Sequence, residues 1–269
     1  MKVTLKGVAY EYEVNGSGEP LLLLHGFTGS IETWRPFVSS WSKSFQVITV
    51  DIIGHGKTES PEDMEHYEIE TVASHIIALL DHLQIEETHV LGYSMGGRLA
   101  LTMACIHSNR ITSLTLENCT AGLQSEDERK ERREKDEELA RKIEEHGIQS
   151  FVEKWESIPL FASQKRLPEK QQNRIREERL RNNSLGLANS LRGMGTGAQP
   201  SWWEELKKLT IPVLLLNGEW DEKFFHILKK MENEFQNAEF VKIDGAGHAI
   251  HVEQPEKFDT IVRGFLQNI

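Results

Sequence analysis

Cysteine is scarce in this chain. Cys105 and Cys119 are the only two in 269 residues, and they form neither a C-x-x-C pair nor a metal-type spacing. That excludes a disulfide scaffold and points to buried free thiols in a reducing compartment. Long apolar runs are missing too. Leu21–Leu24 and Val213–Leu216 fall far short of the roughly 20 residues that span a bilayer, so no stable membrane insertion is expected. The opening Met1-Lys-Val-Thr-Leu-Lys6 has no long apolar segment and no small-residue cleavage site. No secretory signal is expected, and the expected location is cytoplasmic. Excess positive charge is absent as well. A net charge of −11 argues against nucleic acid as a general partner, although it leaves room for a local basic pocket. There is no phosphate loop and no Cys/His cluster, so nothing calls for a nucleotide, flavin or metal. Internal repeats and low-complexity tracts are absent.

What is present suits one large α/β domain, or one domain with an insertion. Hydrophobic residues make up 38% of the chain, enough to fill a core. Residues 2–14 alternate loosely around Val8, Tyr10, Tyr12 and Val14, which suggests an N-terminal strand pair, and Asn15-Gly-Ser-Gly18 fits a hairpin or tight connection. Pro20–Leu24 and Phe45–Val50 are apolar on both faces and read as buried strands. A helix is expected around Trp34–Trp41, and the apolar stripe at 69, 72, 73, 76, 77, 80 and 83 predicts another. Ile111–Glu117 reads as a strand. Buried strands separated by helices mean a mostly parallel sheet with helices on both faces.

The alternation breaks after Cys119. Ser125–His146 carries ten acidic and seven basic residues, a composition that predicts a solvated helix laced with i,i+4 ion pairs. Helical signals continue through Phe151–Trp155 and Arg174–Leu191, with breaks near Pro159 and Pro168. The next strand is Ile211–Leu216. A strand near Phe240–Ile243 and a helix from about Pro255 to Leu266 follow. The organisation expected is therefore an α/β core over 1–119 and 207–269, interrupted by a helical lid over 120–206.

Chemistry concentrates at Thr88–Gly97. A short apolar strand runs into Gly92-x-Ser94-x-Gly96, and a helix opens at Gly97. In a strand–turn–helix setting this pattern lifts a serine hydroxyl above the carboxyl end of a sheet, at the positive end of the following helix. A serine needs an imidazole beside it, and the imidazole needs a carboxylate that fixes its tautomer. Each must sit at the end of a strand. Asp221 follows the 213–216 strand and His248 follows the 240–243 strand, so Ser94, Asp221 and His248 form the candidate triad. His251 is the local rival for His248, and Gly245-Ala-Gly247 favours His248 by freeing its loop. The ten other histidines otherwise read mostly as surface residues. Glu219, Glu222 and Glu117 compete with Asp221. Asp51 follows a strand too, but its Asp-x-x-Gly-x-Gly loop reads as structural. Donors for a developing oxyanion are expected at the backbone N–H groups of Met95 and Phe27.

Arg98 lies one helical turn past Ser94 on the same face. It either faces the pocket, where it would grip a carboxylate with two prongs, or snorkels to the surface. Between Lys165 and Arg192 there are eight basic residues and three acidic ones. A basic stretch on an acidic protein suggests a small anionic substrate, although pairing with the acidic helix would also account for it.

His25-Gly26, Gly92-x-Ser94-x-Gly96, Asp221 and Gly247-His248, with a helical insertion, together resemble the α/β-hydrolase superfamily over nearly the whole chain. Finer wording narrows this: Gly92-Tyr93-Ser94-Met-Gly-Gly-Arg98, Arg132…Asp136, Phe151…Trp155…Pro159-Leu-Phe-Ala-Ser163, Leu180-Arg181-Asn-Asn and Gly218-Glu-x-Asp221-x-Lys-Phe224. With these phrases the chain resembles the family of menaquinone-pathway synthases that make 2-succinyl-6-hydroxy-2,4-cyclohexadiene-1-carboxylate. The resemblance implies a cofactor-free lyase that eliminates pyruvate when a ring proton is removed. The serine would act as a base. It implies anion binding by Arg98, Arg132 and Arg181, in a pocket lined by Tyr93 and Trp155. The register in the lid leaves Arg129 or Arg133 open in place of Arg132, and Arg179 in place of Arg181. An esterase or carbon–carbon bond hydrolase, and a hydrolase-like binding protein, are the alternative readings.

Overall fold

The computed structural model describes residues 1–269. Eight strands form one sheet: β1 (Lys2–Leu5), β2 (Val8–Asn15), β3 (Glu19–Leu24), β4 (Phe45–Val50), β5 (Thr88–Tyr93), β6 (Ile111–Glu117), β7 (Val213–Gly218) and β8 (Ala238–Ile243). Their spatial order is β1-β2-β4-β3-β5-β6-β7-β8. The first two strands are antiparallel to their neighbours, and every pairing from β4 to β8 is parallel. The N-terminal hairpin turns at Lys6-Gly7, both with positive φ, the twist that suits a two-residue hairpin. Asn15–Gly18 is instead a tight link from β2 into β3.

The strand period decides which layer each residue fills. Leu22 and Leu24 of β3 join Ile48, Val50 and Val90 in a cluster of 41 buried residues. Leu21 and Leu23 join Val47, Leu91 and Leu216 in a cluster of 19 on the opposite face. Side chains alternate across a strand, so a run of four leucines must be covered on both sides. The larger layer is covered by α2 (Ile69–His82), α3 (Met95–Ile106) and α8 (Glu222–Glu234). The smaller one is covered by α1 (Arg35–Trp41) and α10 (Pro255–Leu266). At about 1.5–3 kcal/mol per buried leucine, isoleucine or phenylalanine, these layers supply the main favourable contribution to folding.

Between β6 and β7 the chain is helical: α4 (Glu126–Trp155), α5 (Glu169–Leu180), α6 (Ser184–Met194) and the single turn α7 (Trp203–Leu206), with a 3-10 segment at Pro159–Arg166. Ser125 caps α4 in a reciprocal capping box with Glu128. Gly147, at φ 76°, breaks the helix into two rods. Exposed i,i+4 pairs such as Lys135–Glu131 and Lys142–Glu138 decorate the first rod, and each is worth only about 0.2–0.5 kcal/mol. Packing therefore holds this layer. Ala140, Ile143, Phe151 and Val152 of α4 close on Leu187, Ala188 and Leu191 of α6 as a separate core. The layer is seated on the sheet domain by backbone contact. A Cβ on Gly186 would lie 2.3 Å from the Gly54 carbonyl oxygen, and one on Gly193 2.4 Å from that of Tyr67.

The histidines depart from the surface reading. His25, His55, His75, His89 and His251 are all buried, along with His248. His25 shows why. It donates from Nδ1 to the Gly26 carbonyl (2.8 Å) and accepts the Ile52 N–H at Nε2 (2.9 Å), tying the loop after β3 to the loop after β4. Asp51 is structural in the same way, accepting from the Ile31 and Lys57 N–H groups at 2.7 Å each.

Candidate active site

Ser94 occupies the turn between β5 and α3 with φ 51° and ψ −105°, a strained backbone for a residue with a Cβ. The surrounding glycines make the turn sterically possible. A Cβ on Gly92 would lie 2.3 Å from the Gly96 carbonyl oxygen, and one on Gly96 2.2 Å from that of Leu24. Ser94 Oγ donates to His248 Nε2 at 3.0 Å. His248 Nδ1 donates to Asp221 Oδ2 at 2.6 Å. The other Asp221 oxygen caps α8, accepting the Phe224 N–H at 3.3 Å. His248 and Asp221 are 2% and 6% exposed, so water does not compete for these bonds. The backbone N–H groups of Phe27 and Met95 have no acceptor within the chain. Both residues line the Ser94 cavity, where such free donors can meet a developing oxyanion.

That cavity holds about 150 Å³ and lies under α4, α6 and the 159–166 segment. Ser94, His248, Phe27, Met95, Tyr93, Arg98, Arg132 and Trp155 are all on its wall. The Phe27 ring also stands edge-on to Phe151 and Trp155, so its side chain packs while its backbone N–H stays unpaired. Tyr93 sits with its ring 5.4 Å from that of His248. The Trp155 indole N–H is buried with no partner. A buried orphan donor of this kind is costly unless a ligand satisfies it.

Arg98 is buried and faces the cavity. Its Nη1 donates to the Met194 carbonyl (2.5 Å) and to Gln199 Oε1 (3.0 Å), which leaves the rest of the fork for a ligand. Burial, with the Arg132 guanidinium nearby, pulls its pKa down to about 10. Of the arginines open to choice in α4, Arg132 is the one on the cavity wall, paired with Asp136 at 2.9 Å. Arg129 and Arg133 are turned to Glu126 and the Gly197 carbonyl. One carboxylate, itself pushed up in pKa by burial, faces two guanidiniums. The cavity therefore carries uncompensated positive charge.

Arg181 is not part of this site. Its side chain is 67% exposed and pairs with Glu177 on the surface. Two residues along a helix turn the side chain by about 200°, and it is Arg179 that points inward. Arg179 is buried against the Phe161 ring and donates to Gln164 Oε1 at 3.0 Å. It lines a second cavity of about 270 Å³, which shares Phe27, Tyr93 and Phe161 with the first. Sequence reasoning also missed Asn118 and Gln199, and gave Phe224 no role beyond its place in a motif. Asn118 had one available signal, its position directly after a strand that ends beside the serine turn. No group of three or more His, Cys, Asp or Glu side chains is disposed to hold a metal ion.

Comparison with known proteins addresses the fold and the family. A family model described as alpha/beta hydrolase fold matches residues 19–255. A putative 2-succinyl-6-hydroxy-2,4-cyclohexadiene-1-carboxylate synthase of Bacillus subtilis (strain 168) is 43% identical over 265 residues, 98% of this chain and 96% of the relative. The solved structure of MenH from S. aureus superposes with a TM-score of 0.92 at 37% identity, covering 96% of this chain and 98% of that one. A malate-bound thermophilic esterase from Thermogutta terrifontis has a TM-score of 0.90 at 26% identity, covering 100% and 98%.

Proposed function

The chain belongs to the alpha/beta hydrolase fold family, and on that premise we propose that it is a lyase of menaquinone biosynthesis. In this reading it eliminates pyruvate from 2-succinyl-5-enolpyruvyl-6-hydroxy-3-cyclohexene-1-carboxylate and releases 2-succinyl-6-hydroxy-2,4-cyclohexadiene-1-carboxylate. Relatives are named as synthases, one of them putative, of 2-succinyl-6-hydroxy-2,4-cyclohexadiene-1-carboxylate. The observation that carries the reading here is Arg98, a buried guanidinium one turn from Ser94 on the wall of the serine's own cavity.

The substrate's chemistry fits the geometry. Its succinyl ketone acidifies the hydrogen on ring carbon 2. Ser94 Oγ takes that proton as its own passes to His248 Nε2, and Asp221 stabilises the imidazolium that forms. Negative charge collects on the ketone oxygen, where the Phe27 and Met95 N–H groups receive it. As the enolate collapses, a double bond forms between carbons 2 and 3. The existing one moves to carbons 4 and 5, and the bond from carbon 5 to the enolpyruvyl oxygen breaks. The departing enolate takes up a proton and becomes pyruvate. Arg98, Arg132 and Arg179 hold carboxylates, with Tyr93 and Trp155 flanking them. Residues 120–206 act as a lid that keeps water from the enolate, and 1–119 with 207–269 form the core beneath it. The working compartment of such a polycarboxylate enzyme is the cytoplasm.

The test is pyruvate release from freshly made enolpyruvyl precursor, with Ser94→Ala as control and a nitrophenyl ester run alongside. Fast Ser94-dependent release with little ester cleavage supports the lyase. Ester cleavage without pyruvate release would move the function to a hydrolase, the reading favoured by the likeness to a solved esterase.

A further inference from the structure

We infer that Glu117 and Asn118, at the end of β6, are positioning residues that hold the serine turn, the acid turn and the histidine loop in register for proton transfer. This inference rests on the triad reading above.

The two residues reach all three parts. The Glu117 carbonyl accepts the Ser94 N–H at 2.8 Å. The Glu117 carboxylate accepts the His251 backbone N–H at 3.1 Å and its Nδ1–H at 2.9 Å, which fixes the chain just past His248. Asn118 Nδ2 donates to the His248 carbonyl at 2.8 Å and to that of Gly247 at 3.3 Å. Asn118 Oδ1 accepts from Asn217 Nδ2 at 3.0 Å, and the same Asn217 amide donates to the Asp221 carbonyl at 3.2 Å. Glu117, Asn118 and Asn217 are fully buried.

Stability alone does not account for this arrangement. A buried carboxylate–histidine pair is a poor stabiliser compared with apolar residues of the same volume, because both groups must be desolvated. Asn118 also holds φ 44°, a left-handed backbone that costs a non-glycine residue about 1–2 kcal/mol. The amide that this backbone aims at the 247–248 carbonyls offsets the strain. The histidine loop has no sheet ladder of its own at these carbonyls, so side-chain bonds set where His248 stands. The 3.0 Å and 2.6 Å triad bonds depend on that placement, and a shift of about 1 Å at such a site can lower the rate on the order of 10²-fold.

The test uses Glu117→Gln and Asn118→Gly, each assayed for pyruvate release. Glutamine keeps the volume and one acceptor, and glycine accepts the left-handed backbone without the amide. Val8→Ala, buried in β2 on the side of the sheet order away from the strands that carry the triad, serves as a stability-matched control. The expected result is a kcat lowered about ten- to hundredfold with KM changed less than about twofold. The control keeps its kcat. The downfield proton resonance of the His248 Nδ1–H weakens or vanishes in both variants and persists in the control. Folded variants with unchanged kcat overturn the inference, as does a rise in KM alone. A Ser94→Ala enzyme that still turns over brings down the triad reading itself. Loss of turnover in Ser94→Ala beside wild-type kcat in Glu117→Gln and Asn118→Gly removes only the positioning role.

Discussion

His248 and His251 lie three residues apart, and each donates its Nδ1–H to a buried carboxylate, Asp221 at 2.6 Å in one case and Glu117 at 2.9 Å in the other. The pairs are chemically alike and nearly equally buried. They differ in what meets the far nitrogen. His248 Nε2 receives the Ser94 hydroxyl. His251 Nε2 has no partner in the chain, and the residue lines the second cavity beside Tyr93, whose ring lies 4.6 Å away. The carboxylates also stand differently. Asp221 heads a helix after β7, whereas Glu117 is still within β6 and uses its backbone to hold the serine turn. A histidine–carboxylate pair is therefore not a catalytic unit by itself. The group at the second nitrogen decides whether it moves protons or holds a loop.

The sharpest break in the comparison comes from removing the proton path. Ser94→Ala or Asp221→Asn should lower kcat on the order of 10⁴-fold or more with little change in folding stability. Steady-state pyruvate release and a denaturant melt read both quantities, and near-normal turnover would abolish the distinction between the pairs. Glu117→Ala should do the reverse in stability. It strands His251 without its carboxylate, at a cost of about 3–5 kcal/mol in unfolding free energy. A denaturation midpoint equal to wild type would mean that the second pair holds nothing.

Arg98→Ala should lower kcat/KM for the tricarboxylate about 10²-fold, the loss of a two-pronged charged contact worth roughly 3 kcal/mol, while ester cleavage changes little. An unchanged specificity constant would confine Arg98 to its bonds with Met194 and Gln199. Neutral histidines predict a pH effect of similar size on stability. Burial and the neighbouring His55 push the pKa of His25 down to about 3, and burial takes His55 to about 4. Both bind a proton more readily unfolded than folded, so stability is full above about pH 6.5 and falls as pH drops toward those folded values. Between pH 7 and pH 5 each should cost about 2 kcal/mol. A flat melting temperature across that range would contradict this, and His25→Gln should lose part of the slope. The smallest effect is expected at Arg181. Its alanine variant should stay within about 0.5 kcal/mol in stability with unchanged kinetics, while Arg179→Ala raises KM.

Legibility in the sequence followed the range of the interactions. β3, β4 and β7 were readable because largely apolar runs must be strands covered on both faces. Ser94, Asp221 and His248 were readable because a parallel sheet leaves only strand ends for a shared site. Arg132 was named correctly for the cavity wall, but the second arginine of the helical insertion was not, since Arg181 was favoured and Arg179 only left open. A helix rotates each residue by 100°, so an error of two positions exchanges a buried Arg179 for an exposed Arg181. Glu117 and His251 could be seen singly, as rivals for the acid and the base. Their pairing with each other spans 134 positions and leaves no local trace.

By itself, then, the sequence determined the layers, the strand order of the chemistry and the strained serine turn, since these follow from hydrophobic period, glycine placement and chain order. Tertiary structure alone decided that Arg179 and not Arg181 turns inward, that Glu117 pairs with His251, and that a carboxylate and an amide at the end of β6 reach the loops around the serine. Those outcomes depend on angles and distances between segments far apart in the chain, where a shift of one residue or one ångström changes the partner.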